Sequence, residues 1–439
     1  MQLVDTLAAL VPYVNDMARV ESILQTCLAS TTDVDTLSHI FETTGGPQFG
    51  QNESTTLSNA FWQMAWQQVQ PHAASEPRLV CQALERLVHV LSEHAHVVEA
   101  IQMLVHILSR SVDEDTADWS AVEWLEEDSY EVDHDEEGLT SYAMDVLHMW
   151  LTEHGQVLPS LLQMVQPNDA SNWRSLWTSL TVWQICSSTL PVALEPLAPT
   201  LVQGICQILM GSQNHLRVRH QAWQTLAGFL QTYPGVLNDK DGMAHAVRQG
   251  LLDPHPRVSA AVCRVLISMA AAHTHEEQLW NHGQLDILMQ GLTEGPLSAK
   301  ASCRLQVVRA LRAVAALSRC SPMGTFYAPT MSVLLEWSER EASVMGDALE
   351  AASLVAQSLV EDEALCDRVR GDAQALMERL LQTLQHGGDG TRREPLLSAC
   401  ARLAPVLGDS FEPYLQTVLQ LLLEKITTQD EIELGVSLV

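Results

Sequence analysis

Apolar side chains recur at steps of three and four residues along nearly the whole chain. In one such stripe Leu79, Ala83, Leu84, Leu87 and Leu91 fall on a single side of a helical wheel. Strict alternation of apolar and polar residues, which is typical of half-buried strands, is nearly absent. The pattern therefore predicts an all-α protein, with further apolar stripes over 97–109, 139–152, 172–188, 193–210, 216–231, 243–252, 256–272, 298–318, 325–337, 342–360, 363–385, 395–407 and 411–426.

The breaks between these stripes recur at a spacing of about 40 residues. Asn214-His215-Leu216-Arg217-Val218 stands 40 residues before Pro254-His255-Pro256-Arg257-Val258, and each motif opens a helix rich in small residues. Helix pairs at intervals of about 40–47 residues are typical of HEAT or armadillo repeats. The predicted fold is a right-handed superhelical HEAT-repeat solenoid of paired antiparallel helices. It would run as one body over 1–439, with about nine helix pairs.

The turn residues of these motifs have a structural interpretation. Asn214 and Asp253 are suited to cap the helix that follows each of them, because their side chains accept hydrogen bonds from backbone N–H groups. Arg217 and Arg257, in the first turns, can reach the cap of a neighbouring repeat. Direct contact with a ligand is the alternative role for these four residues.

Residues 113–137 differ from the rest of the chain. Thirteen of these 25 positions are acidic, and none is Lys or Arg. The segment lies between two amphipathic stripes, so it is predicted to be a loop inserted between helices. Its aromatic residues Trp119, Trp124 and Tyr130 suit a role in binding a basic partner, through ion pairs and cation–π contacts. A solvated charged loop with no partner is the alternative.

The overall charge favours the same kind of partner. The chain has 24 basic and 54 acidic side chains, a net charge of −30, which disfavours binding to the phosphate backbone of a nucleic acid. No apolar run reaches the roughly 18 residues of a membrane span, and the N-terminus has no basic region like that of a signal peptide. Nine cysteines without a C-x-x-C pair indicate reduced thiols. We expect a soluble protein of the cytoplasm or nucleus.

Motifs for catalysis, cofactors or metals are not found in the sequence. It has no P-loop, no G-x-G-x-x-G and no G-x-S-x-G. His273, His275, Glu276 and His282 lack the spacing and the fourth ligand of a zinc site. We therefore expect no enzymatic activity, no cofactor and no metal.

Tryptophans present a choice between core and surface. Trp173 and Trp177 are four residues apart and share a helix face with each other, and Trp183 and Trp223 follow. Core packing is the favoured interpretation, and a grip on lysine side chains is the alternative.

Several segments together resemble a known family. Asp113-Glu114-Asp115 with Asp118-Trp119, in an acidic loop flanked by helices, resembles the acidic insertion of the importin-β (karyopherin-β) nuclear transport receptors. The importin-five branch is the most similar. It shares the helix at 78–95, the turn Asp253-Pro254-His255-Pro256-Arg257-Val258, and a helix and turn at 398–415. The resemblance covers about 78–430, the middle of receptors more than twice this long, so a fragment or a shortened relative is expected.

The resemblance implies a nuclear import receptor. It would bind the basic nuclear-localisation signals of cargo proteins on an acidic concave surface and release them when the GTP form of the small GTPase Ran binds. It would also meet nucleoporins and shuttle between cytoplasm and nucleus. The residues implied to face Ran or cargo lie in the acidic loop: Asp113, Glu114, Asp115, Asp118, Trp119, Trp124, Glu126, Glu127 and Asp128.

A different class of HEAT protein is the main alternative. A Ran-independent interaction scaffold, such as a phosphatase or cytoskeletal adaptor, would have the same repeats. Its binding would be unchanged by deletion of the acidic loop. An enzyme is the third possibility, and it would need catalytic residues that the sequence does not show.

Overall fold

The computed structural model describes residues 17–31, 33–44, 57–72, 75–89, 94–114, 138–166, 172–211, 215–237, 240–272, 280–298, 303–320, 323–340, 342–360, 362–385 and 393–423. These residues form helices joined by short turns and contain no strand. The all-α prediction is therefore confirmed. The chain divides into two compact units at residue 201, and each is described separately below.

The first unit begins the series of helix pairs. Its helices are α1 (Met17–Ser30), α2 (Val34–Thr44), α3 (Asn59–Val69), α4 (Pro77–Leu87), α5 (His94–Glu114), α6 (Leu139–Glu153), α7 (Leu158–Met164), α8 (Trp173–Thr189) and α9 (Pro191–Leu194). The alternate helices α2, α4, α6 and α8 pack against one another in sequence order, as do α1 and α3. This is the packing of consecutive repeats, each contributing a first helix and a second helix.

The second unit continues the same arrangement. Helix α10 (Ala198–Met210) spans residue 201, and the helices after it are α11 (Leu216–Thr232), α12 (Lys240–Leu251), α13 (Pro256–Ala272), α14 (His282–Glu294), α15 (Arg304–Cys320), α16 (Tyr327–Arg340), α17 (Ala342–Gln357), α18 (Cys366–Gln385), α19 (Arg393–Leu407) and a last helix, α20, over 412–423. The second helices α11, α13, α15, α17 and α19 form a continuous stack, each packed on the next.

Small side chains make this stack possible. In α13, Ser259, Ala260, Ala261 and Cys263 are fully buried, so α13 contacts α11 on one side and α15 on the other. Helix α17 is similarly lined by buried alanines. A polar bond crosses the interior here, because the Gln306 side chain donates to Ser259 Oγ over 2.7 Å. It satisfies two buried polar groups that water cannot reach.

Glycine permits an equally close contact between first helices. At Gly291 in α14 an added Cβ would lie 3.0 Å from Leu251 Cδ1 and 3.1 Å from Arg248 Cγ, both in α12. A larger residue would force these two helices apart. In the second unit, small residues therefore allow close packing both between first helices and between second helices.

Helix termini are set by residues that suit them. Asn281 begins α14 with a capping box, in which its side chain accepts from Gln284 N and the Gln284 side chain accepts from Asn281 N. Asn172 caps α8 by accepting from Arg174 N and Ser175 N. Pro77 and Pro191 occupy first-turn positions, where no backbone donor is needed.

One stretch, Pro191–Met210, is long and apolar enough to cross a membrane by length and composition. It is interrupted by a 3-10 turn at Glu195–Leu197 that contains Pro196. A single such stretch is weak evidence for a span, since core helices of soluble proteins have the same composition.

The nine cysteines are free thiols. Cys81, Cys186, Cys263, Cys303 and Cys400 are buried, whereas the other four are partly exposed. Burial raises the pKa of the Cys186 and Cys263 thiols to about 12, because the thiolate would lose its hydration.

We expect the thiols to react with a disulfide reagent in two phases at pH 8. Cys27, Cys206, Cys320 and Cys366 should be modified in the folded protein. The five buried thiols should react only on unfolding, since the reactive thiolate is both rare and inaccessible there. Counting the modified thiols before and after adding denaturant measures this. Five or more fast thiols in the folded state would contradict the packing described.

Candidate protein-binding surfaces

The described residues on either side of the acidic segment contact each other across a helix hairpin. Helices α5 and α6 pack against each other, and Thr140 donates to Ser111 Oγ over 3.0 Å in a buried contact. Helix α5 continues to Glu114, so Asp113 and Glu114 are helical rather than part of a loop. Their side chains, and all of 115–137, lie outside the described residues, and with them Asp115, Asp118, Trp119, Trp124, Glu126, Glu127 and Asp128.

Helix α6 is fixed rigidly to α4 beside this segment. The fully buried Trp150 donates its indole N–H to the Leu84 carbonyl over 3.0 Å. Tyr142, near the start of α6, donates to Glu85 Oε2 over 2.5 Å. Burial and the adjacent Glu85 carboxylate raise the pKa of Tyr142, so its hydroxyl stays protonated and keeps donating. The helix that follows the acidic segment is thus held in place by two hydrogen bonds to α4.

A cleft of about 760 Å³ lies in the first unit between α5, α7 and α8. Met103, Met164 and Val165 give it apolar walls, and Glu99, His106 and several serines and threonines add polar groups. Glu99 accepts from the Gln70 side chain over 2.5 Å, which orients its carboxylate. The mixture suits a peptide side chain that has an apolar stem and a polar end.

Repeat-stacking residues expected from the sequence occupy related places in the second unit. Asn214 lies outside the described residues. His215 caps α11, its Nδ1 accepting from Arg217 N over 3.3 Å, and His255 Nδ1 accepts from Arg257 N over the same distance. The 40-residue repeat is therefore a structural repeat, and in both motifs histidine accepts from the first-turn backbone.

The bridge between repeats comes from a residue that sequence analysis passed over. Arg219 reaches Asp253 in the next repeat, with Nε to Oδ2 at 2.8 Å and a second nitrogen to Oδ1 at 3.2 Å. Asp253 also accepts from His255 N over 2.9 Å, and its side chain is only 10% exposed. Arg219 follows directly after the aligned motif, which ends at Val218.

Similar polar bridges join later repeats. Arg312 donates to Asp347 over 3.1 Å between α15 and α17, and Arg402 of α19 donates to Glu350 of α17 over 3.4 Å. Arg379 of α18 donates to Ser338 Oγ over 2.8 Å and also contacts Glu339. Such forks join neighbouring helices and restrict their relative sliding.

Tryptophan positions agree mainly with core packing. Trp177, Trp183 and Trp223 are buried, while Trp173 is partly exposed and stacks under Arg174, whose guanidinium carbon lies 4.9 Å from the ring centroid. In the described part of the chain no three His, Cys, Asp or Glu side chains converge as a metal ion would require. Of the histidine cluster considered above, His273, His275 and Glu276 lie outside that part.

Charge on the second helices has an unexpected sign. Helices α11, α13 and α15 together contain eight of the chain's 21 arginines and no acidic residue. They do not provide the acidic wall that the family resemblance implies. In the first unit, by contrast, α6 presents Asp145 and Glu153 at exposed positions and contains no Lys or Arg.

No protein-family model matches this sequence, and no curated protein matches it. Solved structures do match. Kap121p bound to RanGTP is similar with a TM-score of 0.72 at 17% identity, over 95% of this chain and 41% of that one. Kap121p bound to Ste12p gives 0.71 at 17% identity, over 94% and 41%, and Kap121p alone gives 0.68 at 18%, over 93% and 44%. The chain thus has the HEAT-repeat fold of the karyopherin Kap121p and spans less than half of its length.

Replacing Arg219 by Met should destabilise the second unit by about 2–3 kcal/mol, because Asp253 would remain a nearly buried carboxylate without its cation. Arg370→Met is the matched control, since Arg370 pairs with a fully exposed Asp367 at 3.6 Å and should change stability by less than about 0.5 kcal/mol. Urea unfolding followed by circular dichroism measures both variants. Equal effects would show that the bridge adds nothing beyond a surface ion pair.

Proposed function

We propose that this chain is a nuclear transport receptor of the importin-β (karyopherin-β) type, or a section of one. The observation that carries the proposal is the match to Kap121p over 95% of the chain, combined with an acidic insertion held between the two helices of one repeat. Charge and composition add support, since a net charge of −30 favours basic partners. At 17% sequence identity the structural match shows the fold alone, and the receptor function is our inference from that fold.

The acidic segment is the proposed contact with basic partners. Its carboxylates and its two tryptophans would pair with, and stack on, the lysines and arginines of a cargo signal or of Ran. Kap121p has been crystallised with Ste12p, with Pho4p and with RanGTP, which makes cargo proteins and the GTP form of Ran the partners proposed here. Nucleoporins are a further proposed class, and movement between cytoplasm and nucleus follows from the role.

The proposed mechanism is reversible binding without covalent chemistry. In a repeat protein each unit contacts only its neighbours, so small changes at successive interfaces add up along the array. Bridges such as Arg219–Asp253 and Arg312–Asp347 are the places where such changes would be felt. A partner bound at one group of repeats would thereby alter the affinity of another group of repeats for a second partner.

Selective capture by Ran tests the proposal. The purified chain should bind to immobilised Ran loaded with a non-hydrolysable GTP analogue and should not bind to Ran·GDP. A basic-signal peptide should reduce the capture. Binding to neither form of Ran and to no basic peptide would contradict the proposal and favour a Ran-independent HEAT scaffold.

A charge variant tests the role of the acidic segment. D118N/E126Q/E127Q/D128N should weaken binding of a lysine-rich signal peptide by about tenfold at low salt, because four carboxylates near the peptide are removed. The matched control E363Q/D367N/D409N/E412Q removes four exposed carboxylates from the second unit and should have less than about a twofold effect. Fluorescence anisotropy measures both, and an equal loss would show that only total charge matters.

A further inference from the structure

The cleft between α5, α7 and α8 has a chemistry that the proposed transport function does not use. Its volume of about 760 Å³ lies within the roughly 300–1,000 Å³ of typical ligand pockets. Among the described residues that line it, Glu99 is the one acidic side chain, and none is Lys or Arg. With histidine counted as neutral at pH 7, this lining carries one negative charge, which favours a cationic ligand.

Two buried hydroxyl groups add hydrogen-bond acceptors to the cleft. Thr178 and Ser179 of α8 are 4% and 1% exposed. Each hydroxyl donates its hydrogen to the backbone carbonyl four residues earlier in the helix, over 2.8 Å. Because a hydroxyl has one hydrogen and two lone pairs, both groups retain only acceptor capacity for a ligand.

The carboxylate of Glu99 is a further acceptor, and it is held in place. The Gln70 side chain donates to its Oε1 over 2.5 Å. No other donor in the described part of the chain reaches this carboxylate, so Oε2 remains for a ligand. Glu99 is partly exposed, so a ligand can approach it from solvent.

Apolar side chains complete the cleft without an aromatic ring. Met103 and Met164 are partly exposed, and their unbranched thioether chains adapt to a flexible stem. Val165, at the end of α7, is 4% exposed and adds a fixed apolar surface. Since the described lining residues include no Phe, Tyr or Trp, they do not form the aromatic cage that suits a methylated ammonium group.

A primary ammonium group on an apolar stem matches these partners. It is a compact cation with three N–H donors and no acceptor, so it can use the lone pairs of Glu99, Thr178 and Ser179. A carboxylate or phosphate would face these acceptors with no hydrogen to offer. A guanidinium group favours both oxygens of one carboxylate, and Gln70 already occupies one of them here.

The positive N-terminus of α8 does not oppose a cation at this position. Asn172 caps the first turn by accepting from two backbone N–H groups. The field of a helix end falls off within that turn, whereas Thr178 and Ser179 lie in the second turn.

We propose that this cleft binds a primary ammonium group of a partner protein, supplied by a lysine side chain or by a free N-terminal residue. The apolar stem would lie against Met103 and Met164, and the ammonium group would donate to Glu99, Thr178 and Ser179. Acetylation of the amine removes its charge, so it would switch the binding off. The site uses no residue of the acidic segment 113–137 and requires no Ran, so it is independent of the transport function.

The test uses the full chain and two fluorescent nine-residue peptides of Ala, Ser and Leu. One has a single central lysine and blocked ends, and the other has a free N-terminal leucine and no lysine. The parent should bind at least one of them, and acetylation of its amine should weaken binding at least about tenfold. Binding of the lysine peptide alone assigns the ammonium to a side chain, and binding of the other alone assigns it to a chain terminus.

Variants of the cleft locate the binding. Glu99→Gln keeps the shape of the side chain and removes its charge, so it should weaken binding about tenfold. Thr178→Val removes one acceptor and should cost about threefold. The matched control Glu195→Gln removes an exposed carboxylate of the first unit outside the cleft and should change affinity less than about twofold. Thermal unfolding checks that each variant is folded.

Four results would overturn the proposal. One is that neither peptide binds to the parent, and another is an equal loss in Glu99→Gln and Glu195→Gln. A third is that the trimethyl-lysine form, which keeps the charge and loses the N–H donors, binds as tightly as the lysine form. The fourth is a loss of about tenfold in D118N/E126Q/E127Q/D128N, which would assign the peptide to the acidic segment.

Discussion

The structure depends on one constraint: a pair of amphipathic helices cannot bury its apolar face without another pair beside it. The inner second helices of the stack, α13, α15 and α17, are each packed between two other second helices. Small residues such as Ser259, Ala260 and Ala261 make that double coverage possible, because they allow a close approach. In α13, where most positions are buried, the partly exposed positions include Arg257 and Arg264.

Much of the fold could be predicted from the apolar pattern. The stripe predicted over 256–272 is α13 to the residue, and that over 216–231 is one residue short of α11. Helix starts were less accurate where breakers were ambiguous, as in the stripe at 298–318, whose helix begins at Arg304. The 40-residue repeat was real because Val218 and Val258 are both buried at equivalent positions. One continuous solenoid of about nine pairs remains a prediction.

Sequence reasoning was weaker for the surface, since which side chains meet across repeats depends on tertiary packing. The bridge from Arg219 to Asp253, for example, joins residues 34 positions apart in the sequence, and bridging by Arg217 and Arg257 stays a prediction. The basic composition of α11, α13 and α15 is visible in the sequence, because three helical stretches without a single acid are conspicuous in a chain with 54 acids. The net charge of −30 gives no sign of this local basic composition.

The proposed receptor function requires that binding in one region of the repeat array alters binding in another. The most direct measurement is the dissociation constant of a labelled basic-signal peptide for the full chain, with and without saturating Ran·GTP. The account predicts that Ran·GTP weakens peptide binding by at least about tenfold, and that the peptide weakens Ran·GTP binding by the same factor, since linkage is reciprocal. Ran·GDP should have no effect. A peptide affinity unchanged by Ran·GTP would contradict the account.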